Sequence, residues 1–153
     1  FPRYRAKDGS IGFSFSGLKT AVLYHVRGGD ALAPTPPPEQ IPQRADVAAS
    51  FQEAVVENLV RPTLRCAREE GVEQVLVAGG VACNQRLRDV LGERGREAGL
   101  EVFFPSPAYC TDNGAMIAYA GCQRLLAGQQ DEGGIETRAR WPMEQLPPIA
   151  VKA

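Results

Sequence analysis

The sequence predicts an α/β domain in which helix outweighs strand, and three observations carry that prediction. Val75-Leu76-Val77-Ala78 is an apolar run that meets Gly79-Gly80 and then opens into an amphipathic segment from Asn84, the pattern of a strand buried on both faces, a tight turn and a helix. Ser10 to Ser16 alternates polar or small residues with large apolar ones, the period of a half-buried strand, and leads through Gly17 into the helical spacing of Leu18, Ala21, Val22 and Val26. Val47, Phe51, Val55 and Leu59 recur every four residues, marking a long amphipathic helix. Two or three strands with helices on both sides are expected.

In chain order, Ser16 is placed to cap the first helix and Lys19 stands as a solvated first-turn residue. Pro34, Pro36, Pro37, Pro38 and Pro42 exclude helix and central strand from residues 28–42, leaving a mobile surface loop. The long helix runs from Gln43 to Gly71, with Ala48, Ala54 and Leu64 widening its apolar face and Gly71 as its C-cap. Pro62 lacks an N–H and should kink or split that helix near Val60-Arg61.

From Asn84 to Ala98, Leu87, Val90 and Leu91 share one side of a helix that Gly99 closes. Arg86, Arg88, Arg94 and Arg96 are interleaved with Asp89, Glu93 and Glu97, the pattern of a solvated face. Glu101 to Phe104 is a short strand ending at Pro105. A loop through Ser106 feeds a last helix reaching about Ala127, capped by Thr111 or Asp112, whose Ala115, Ala118, Ala120 and Gly121 allow close approach of a neighbour. Residues 1–127 thus form the body and residues 128–153 an extended tail, with Trp141 packing back on it.

A chain of 153 residues suits one domain with a sizeable core. No apolar run approaches the roughly 20 residues that span a bilayer, so no membrane partner is expected. A net charge of −1 supplies no global basic field. Cys66, Cys83, Cys110 and Cys122 contain no C-x-x-C pair and have only His25 beside them, which suits reduced, partly buried thiols in a cytoplasmic protein and disfavours structural zinc. Phe1-Pro2-Arg3-Tyr4 reads like the interior of a longer protein.

The candidate site residues are Gly79, Gly80, Asn84 and Asp112. The glycines can take positive φ and have no Cβ, so a sugar or base can lie against the backbone. Asn84 either caps a helix or reaches toward a ligand held there. Asp112 either caps a helix or coordinates a cation. On pattern alone the plain strand-to-helix turn with Asn84 as N-cap, and a helix cap at Thr111 or Asp112, are the leading readings.

Three stretches taken together say more: Phe13-Ser14-Phe15-Ser16-Gly17-Leu18-Lys19-Thr20, Ala78-Gly79-Gly80-Val81-Ala82-Cys83-Asn84 and Cys110-Thr111-Asp112-Asn113-Gly114-Ala115-Met116-Ile117-Ala118. In this order and spacing the chain closely resembles the C-terminal half of the tRNA N6-adenosine threonylcarbamoyltransferase family, once labelled O-sialoglycoprotein endopeptidase. Arg138-Ala139-Arg140-Trp141-Pro142 resembles that family's ending. The resemblance implies the actin, sugar-kinase and Hsp70-like ATPase fold (ribonuclease H-like), of which this chain is most of the second lobe.

By the same resemblance Gly79, Gly80 and Asn84 belong to a nucleotide-binding turn, with Asn84 against the adenylate, and Asp112 ligates a divalent metal, iron or zinc. Ser16 and Lys19 lie in a family signature without assigned roles. The implied reaction moves a threonylcarbamoyl group from threonylcarbamoyl-AMP to N6 of adenosine 37 in tRNAs reading codons that begin with A, the site also accommodating ATP- or ADP-like nucleotides. The remaining metal ligands, a histidine pair, are implied to come from an absent N-terminal lobe, so the isolated chain is expected to be inactive.

The implied partners are tRNA, that lobe, a paralogous subunit and a small P-loop ATPase. Arg86, Arg88, Arg138 and Arg140 are candidate tRNA phosphate contacts. Exposed sheet edge and cleft face would favour self-association. The alternatives are another ATPase of the same fold, which the Asp112 segment argues against, and a non-catalytic paralogous scaffold, which retention of Asn84 and Asp112 argues against. A metalloprotease is disfavoured because no H-E-x-x-H pattern occurs.

Overall fold

The computed structural model describes residues 1–30, 32–130, 133–134 and 137–149. The chain divides into two units, Phe1–Cys110 and Thr111–Ala153. The first holds helices α1 (Ser16–Val26), α2 (Arg44–Glu70) and α3 (Gln85–Glu97) and strands β1 (Gln74–Leu76) and β2 (Glu101–Phe103). The second holds α4 (Gly114–Leu126). The molecule is helix-rich, with a small two-stranded sheet.

That sheet is parallel, pairing Gln74 with Glu101, Val75 with Val102 and Leu76 with Phe103, and α3 is the crossover between its strands. Val56 and Val60 of α2 meet Leu87, Val90 and Leu91 of α3 in the core, and Val77, Val102 and Phe104 pack against them from the sheet side. Burying a side chain of this size contributes about 1.5–3 kcal/mol, so the α2–α3–sheet sandwich stabilises the unit. The opposite face of the sheet is bare, with Leu76 74% and Phe103 43% exposed. The expectation of a strand buried on both faces is therefore corrected: within the first unit, helices cover one side only.

α2 is unbroken through 27 residues with Pro62 inside, so the expected split at Val60-Arg61 does not occur. Pro62 has no N–H to give the Asn58 carbonyl, and packing of Val56 and Val60 in the turns before it offsets the lost bond. The buried face centres on Ala54, Val56, Val60 and Ala67 rather than on Phe51, which is 38% exposed. Gly71 ends the helix as expected: at φ 64 it lets Val72 N–H reach the Ala67 carbonyl at 3.1 Å and its own N–H reach Arg68 at 3.4 Å, a Schellman closure.

Ser10 to Ser16 is not a strand. No strand lies beside it among the described residues to take up its ladder hydrogen bonds, and Ser10 instead bonds the Asp8 carboxylate through its N–H at 3.0 Å and its hydroxyl at 2.7 Å. Ser16 is not a cap either. It is the first residue of α1, preceded by Phe15 with no side-chain cap, and its carbonyl accepts from the Thr20 hydroxyl. The proline-rich stretch contains one turn of 3-10 helix, Pro38–Gln40, and Thr35 accepts from the Arg27 guanidinium.

In the second unit α4 buries none of its residues, so the close packing expected of Ala115, Ala118, Ala120 and Gly121 does not occur among the described residues. Arg124 ties α4 to the segment after it by donating to Gln129 Oε1 at 2.6 Å and to the Pro147 carbonyl at 3.3 Å. Trp141 is 51% exposed and carries the Arg138 guanidinium over its ring at 4.9 Å. Within the expected tail, residues 131–132, 135–136 and 150–153 lie outside the described residues, as does residue 31 of the proline-rich loop.

Candidate functional site

Gly79, Gly80 and Asn84 sit together in the turn that leaves β1 and enters α3. Gly79 has φ 92, a conformation that L side chains rarely adopt. Gly80 starts a 3-10 turn, Gly80–Cys83, with an ordinary φ, and a Cβ built on it meets nothing within 4 Å. The fold thus needs a glycine at Gly79 but not at Gly80, whose bare backbone faces open space.

Asn84 is the N-cap of α3, its Oδ1 accepting from Leu87 N–H at 3.0 Å. Its Nδ2 donates to Gln52 Oε1 at 3.4 Å, near the limit of a hydrogen bond. The side chain therefore links the turn to α2 and caps α3 at once, with the amide N–H₂ the less firmly held end.

Arg88 holds the turn from behind. Its Nε donates to the Ala82 carbonyl at 2.6 Å and its Nη2 to the Pro105 carbonyl at 2.6 Å, with Cys110 Sγ at 3.4 Å. The guanidinium also lies over the Phe104 ring at 5.0 Å, a cation–π contact. The expectation that Arg88 meets tRNA phosphates is corrected, because its fork is part-buried and engaged by backbone carbonyls.

Arg86 lies on the outer side of α3 and pairs with Glu53 of α2 through both carboxylate oxygens. The hydrogen bond from Arg86 holds the Glu53 carboxyl below its ordinary value, and the same bond raises Arg86. The Cys83 sulfur contacts the Pro107 carbonyl at 3.6 Å. Desolvation there and a hydrogen bond with Cys110 push the Cys83 thiol up. All four cysteines are free, with Cys110 buried and Cys83 and Cys122 exposed.

Asp112 is exposed in the second unit, ahead of α4. Neither it nor Thr111 caps that helix: Asn113 does, with Oδ1 accepting from Met116 N–H at 3.0 Å while Nδ2 donates to the Thr111 carbonyl at 2.9 Å. Asp112 is thereby left without a structural task at the helix end. Among the described residues no three His, Cys, Asp or Glu side chains converge as a metal-ligand set, so a lone Asp112 carboxylate does not amount to a metal site. Among the same residues no helix is long and apolar enough to cross a membrane.

Sequence reasoning missed Arg88, Asn113 and Gly95. Asn113 had a signal in its position directly before Gly114 at the helix head. Arg88 had none, since its partners are backbone carbonyls. Gly95 had none either: a Cβ there would lie 2.5 Å from Val102 Cγ2, so this glycine lets α3 approach β2.

The sequence model described as tRNA N6-adenosine threonylcarbamoyltransferase matches residues 1–119. A protein of that name from Syntrophotalea carbinolica is 46% identical over 145 residues, covering 95% of this chain and 41% of the relative. The chain therefore spans about two fifths of the length of the curated relative that it matches. The matched region includes every candidate site residue, and on these similarities the chain belongs to the tRNA N6-adenosine threonylcarbamoyltransferase family.

Proposed function

We propose that this chain is the nucleotide-gripping part of a transferase that moves the threonylcarbamoyl group of threonylcarbamoyl-AMP to N6 of adenosine 37 in tRNAs reading codons that begin with A. The observation that carries the proposal is the Gly79–Asn84 turn, where a glycine with no conformational need for its missing side chain, Gly80, precedes an asparagine whose amide is only loosely committed. A sugar or adenine can lie against the bare backbone, and Asn84 Nδ2 can turn from Gln52 to a ligand oxygen or ring nitrogen. In the reaction the adenine N6 attacks the carbamoyl carbon, AMP leaves, and a proton is lost from N6. The task of this chain is to hold and orient the adenylate.

In this reading residues 1–127 form part of the second lobe of an actin-like ATPase fold and residues 128–153 its tail. Asp112 supplies one ligand of a divalent metal, iron or zinc, with the other ligands coming from outside this chain. The paralogous subunit and the P-loop ATPase act on the parent protein in the cytoplasm, and the chain by itself is inactive.

A non-catalytic scaffold is the second reading, favoured by one observation: both ends of the Asn84 side chain already have protein partners. The test is to supply the full-length parent and its partner subunits with threonylcarbamoyl-AMP and unmodified tRNA, then digest the tRNA and assay its nucleosides by mass spectrometry. Modified adenosine from the wild type, lost in Asp112→Ala, supports the transferase. No product from a wild type that assembles normally with its partners supports the scaffold. Product from the isolated 153-residue chain would overturn its proposed inactivity.

A further inference from the structure

A second concavity lies on the first unit among residues that the Gly79–Asn84 turn does not use. It has a volume of about 700 Å³, walled on one side by the N-terminal segment from Arg3 to Gly12 and on the other by the second half of α2. The N-terminal wall is pinned to the helix where Tyr4 N–H donates to Asn58 Oδ1 at 2.9 Å. Asn58 is 3% exposed, and its Nδ2 is buried with no hydrogen-bond partner. Most buried donors in folded proteins are satisfied, so this unpaired amide marks a place where the contact between the N-terminal segment and α2 is incomplete.

The charge of the groove points to the kind of ligand. Arg61, Arg65 and Arg68 lie at i, i+4 and i+7 along α2, a stripe roughly 10 Å long on one helix face. Arg3 and Arg5 contribute from the other wall. The acidic residues of the lining are Glu57 and Glu69, and both are engaged: Glu57 with Arg94 at 2.6 Å and Glu69 with Arg65 at 2.7 Å. Among the described residues no carboxylate forms an ion pair with Arg3, Arg5, Arg61 or Arg68. In a chain whose net charge is −1, this is a local excess of cation that the fold does not neutralise.

A single small anion does not need guanidinium groups spread along two helical turns. A backbone of regularly spaced phosphates does, and the planar fork of arginine suits phosphate oxygens. Tyr4, 41% exposed in the same wall, offers a ring face for an unstacked base.

We propose that the groove between the N-terminal segment and α2 binds the phosphate backbone of RNA, with Arg3, Arg5, Arg61 and Arg68 as its cationic contacts. The identity of that RNA as tRNA rests on the transferase reading; the groove itself does not.

The experiment is a salt titration of fluorescein-labelled, unmodified tRNA against the full-length parent protein, followed by fluorescence anisotropy. Arg61→Glu/Arg68→Glu should weaken binding at least about tenfold at ~0.1 M salt and flatten the plot of log K against log salt by about 1.5. Arg61→Lys/Arg68→Lys should keep most of the affinity and the slope. The melting temperature and the binding of an adenine nucleotide should be unchanged in both variants. Unaltered tRNA affinity and slope in the charge-reversed protein would overturn the proposal. So would a loss confined to binding of an acidic protein subunit, since the groove would then be a protein interface. Groove-dependent tRNA binding by a wild-type protein that forms no modified adenosine would sustain the groove and sink the transferase reading.

Discussion

Arg88 Nη2 donates to the Pro105 carbonyl at 2.6 Å, so the segment that leaves β2 is fastened by a helix of the preceding crossover. The same side chain holds Ala82 through Nε at 2.6 Å, making one guanidinium the common support of the glycine turn and of the strand exit. Arg88→Ala removes two charge-assisted hydrogen bonds and the contact with Phe104, and should cost about 2–4 kcal/mol in urea unfolding. Arg88→Lys should recover little, because a single ammonium cannot reproduce the fork. Arg86→Ala, at a solvent-exposed pair, should leave the midpoint nearly unchanged.

Two glycines of α3 should respond with opposite signs. A Cβ at Gly95 would meet Val102 Cγ2 at 2.5 Å, and Gly95→Ala should destabilise by about 1–3 kcal/mol through overpacking against β2. At Gly92 a Cβ meets nothing within 4 Å, so Gly92→Ala should stabilise by about 0.5–1 kcal/mol from helix propensity. Thermal melts of the two variants check both signs.

Asn84 separates capping from ligand contact. Asn84→Ala should lose about 1 kcal/mol, whereas Asn84→Asp and Asn84→Ser keep an oxygen for Leu87 N–H and should stay near wild type. In the full-length parent, calorimetric titration of an adenine nucleotide should show weaker binding for all of them. Gly80→Ala should join that group, with unchanged stability and weakened nucleotide binding, since its methyl enters only open space.

The Arg86–Glu53 pair sets a pH dependence. Glu53 has a folded pKa below its ordinary 4.5, so the unfolded state takes up a proton first as the pH falls. Its contribution is present above that ordinary value and is lost as the pH falls through the lower folded value. Glu53→Gln should therefore lower the urea midpoint slightly at pH 7, with the difference from wild type vanishing as the pH falls through the lowered folded value and shrinking at ~1 M salt.

The features legible in the sequence were those that depend on local backbone chemistry. The Gly71 stop, the long α2, the α3 span with its buried Leu87, Val90 and Leu91, and the turn carrying Gly79, Gly80 and Asn84 all derive from periodicity and from residues with unusual φ. The readings that failed needed knowledge of neighbours. Ser10 to Ser16 has a strand's alternation but, among the described residues, no strand to pair with. Pro62 should kink or split a helix that runs unbroken past it, with Val56 and Val60 packed in the turns before it. Val75 to Ala78 reads as doubly buried, yet within the first unit only the face toward α3 is covered. Arg88 looks like any cation on a solvated helix until its carbonyl partners are placed in space. The groove was invisible for the same reason, since Arg3 and Arg5 are far in sequence from Arg61 and Arg68.

The register of the sheet also bears on how this chain acquires its structure. Gln74 pairs with Glu101 and Leu76 with Phe103, so each strand residue finds its partner after one helical crossover, and the helix that packs over that crossover, α2, directly precedes β1. Every contact of the main core is available once the chain has emerged as far as Phe104. During synthesis, when chains lengthen at about 5–20 residues per second, this nucleus can close while residues 111–153 are still being added. The pairing of Gln74 with Glu101 spans 27 residues in a parallel crossover, a non-local contact of the kind that closes slowly, so the Gly79–Asn84 turn gains its full support only after β2 has been made.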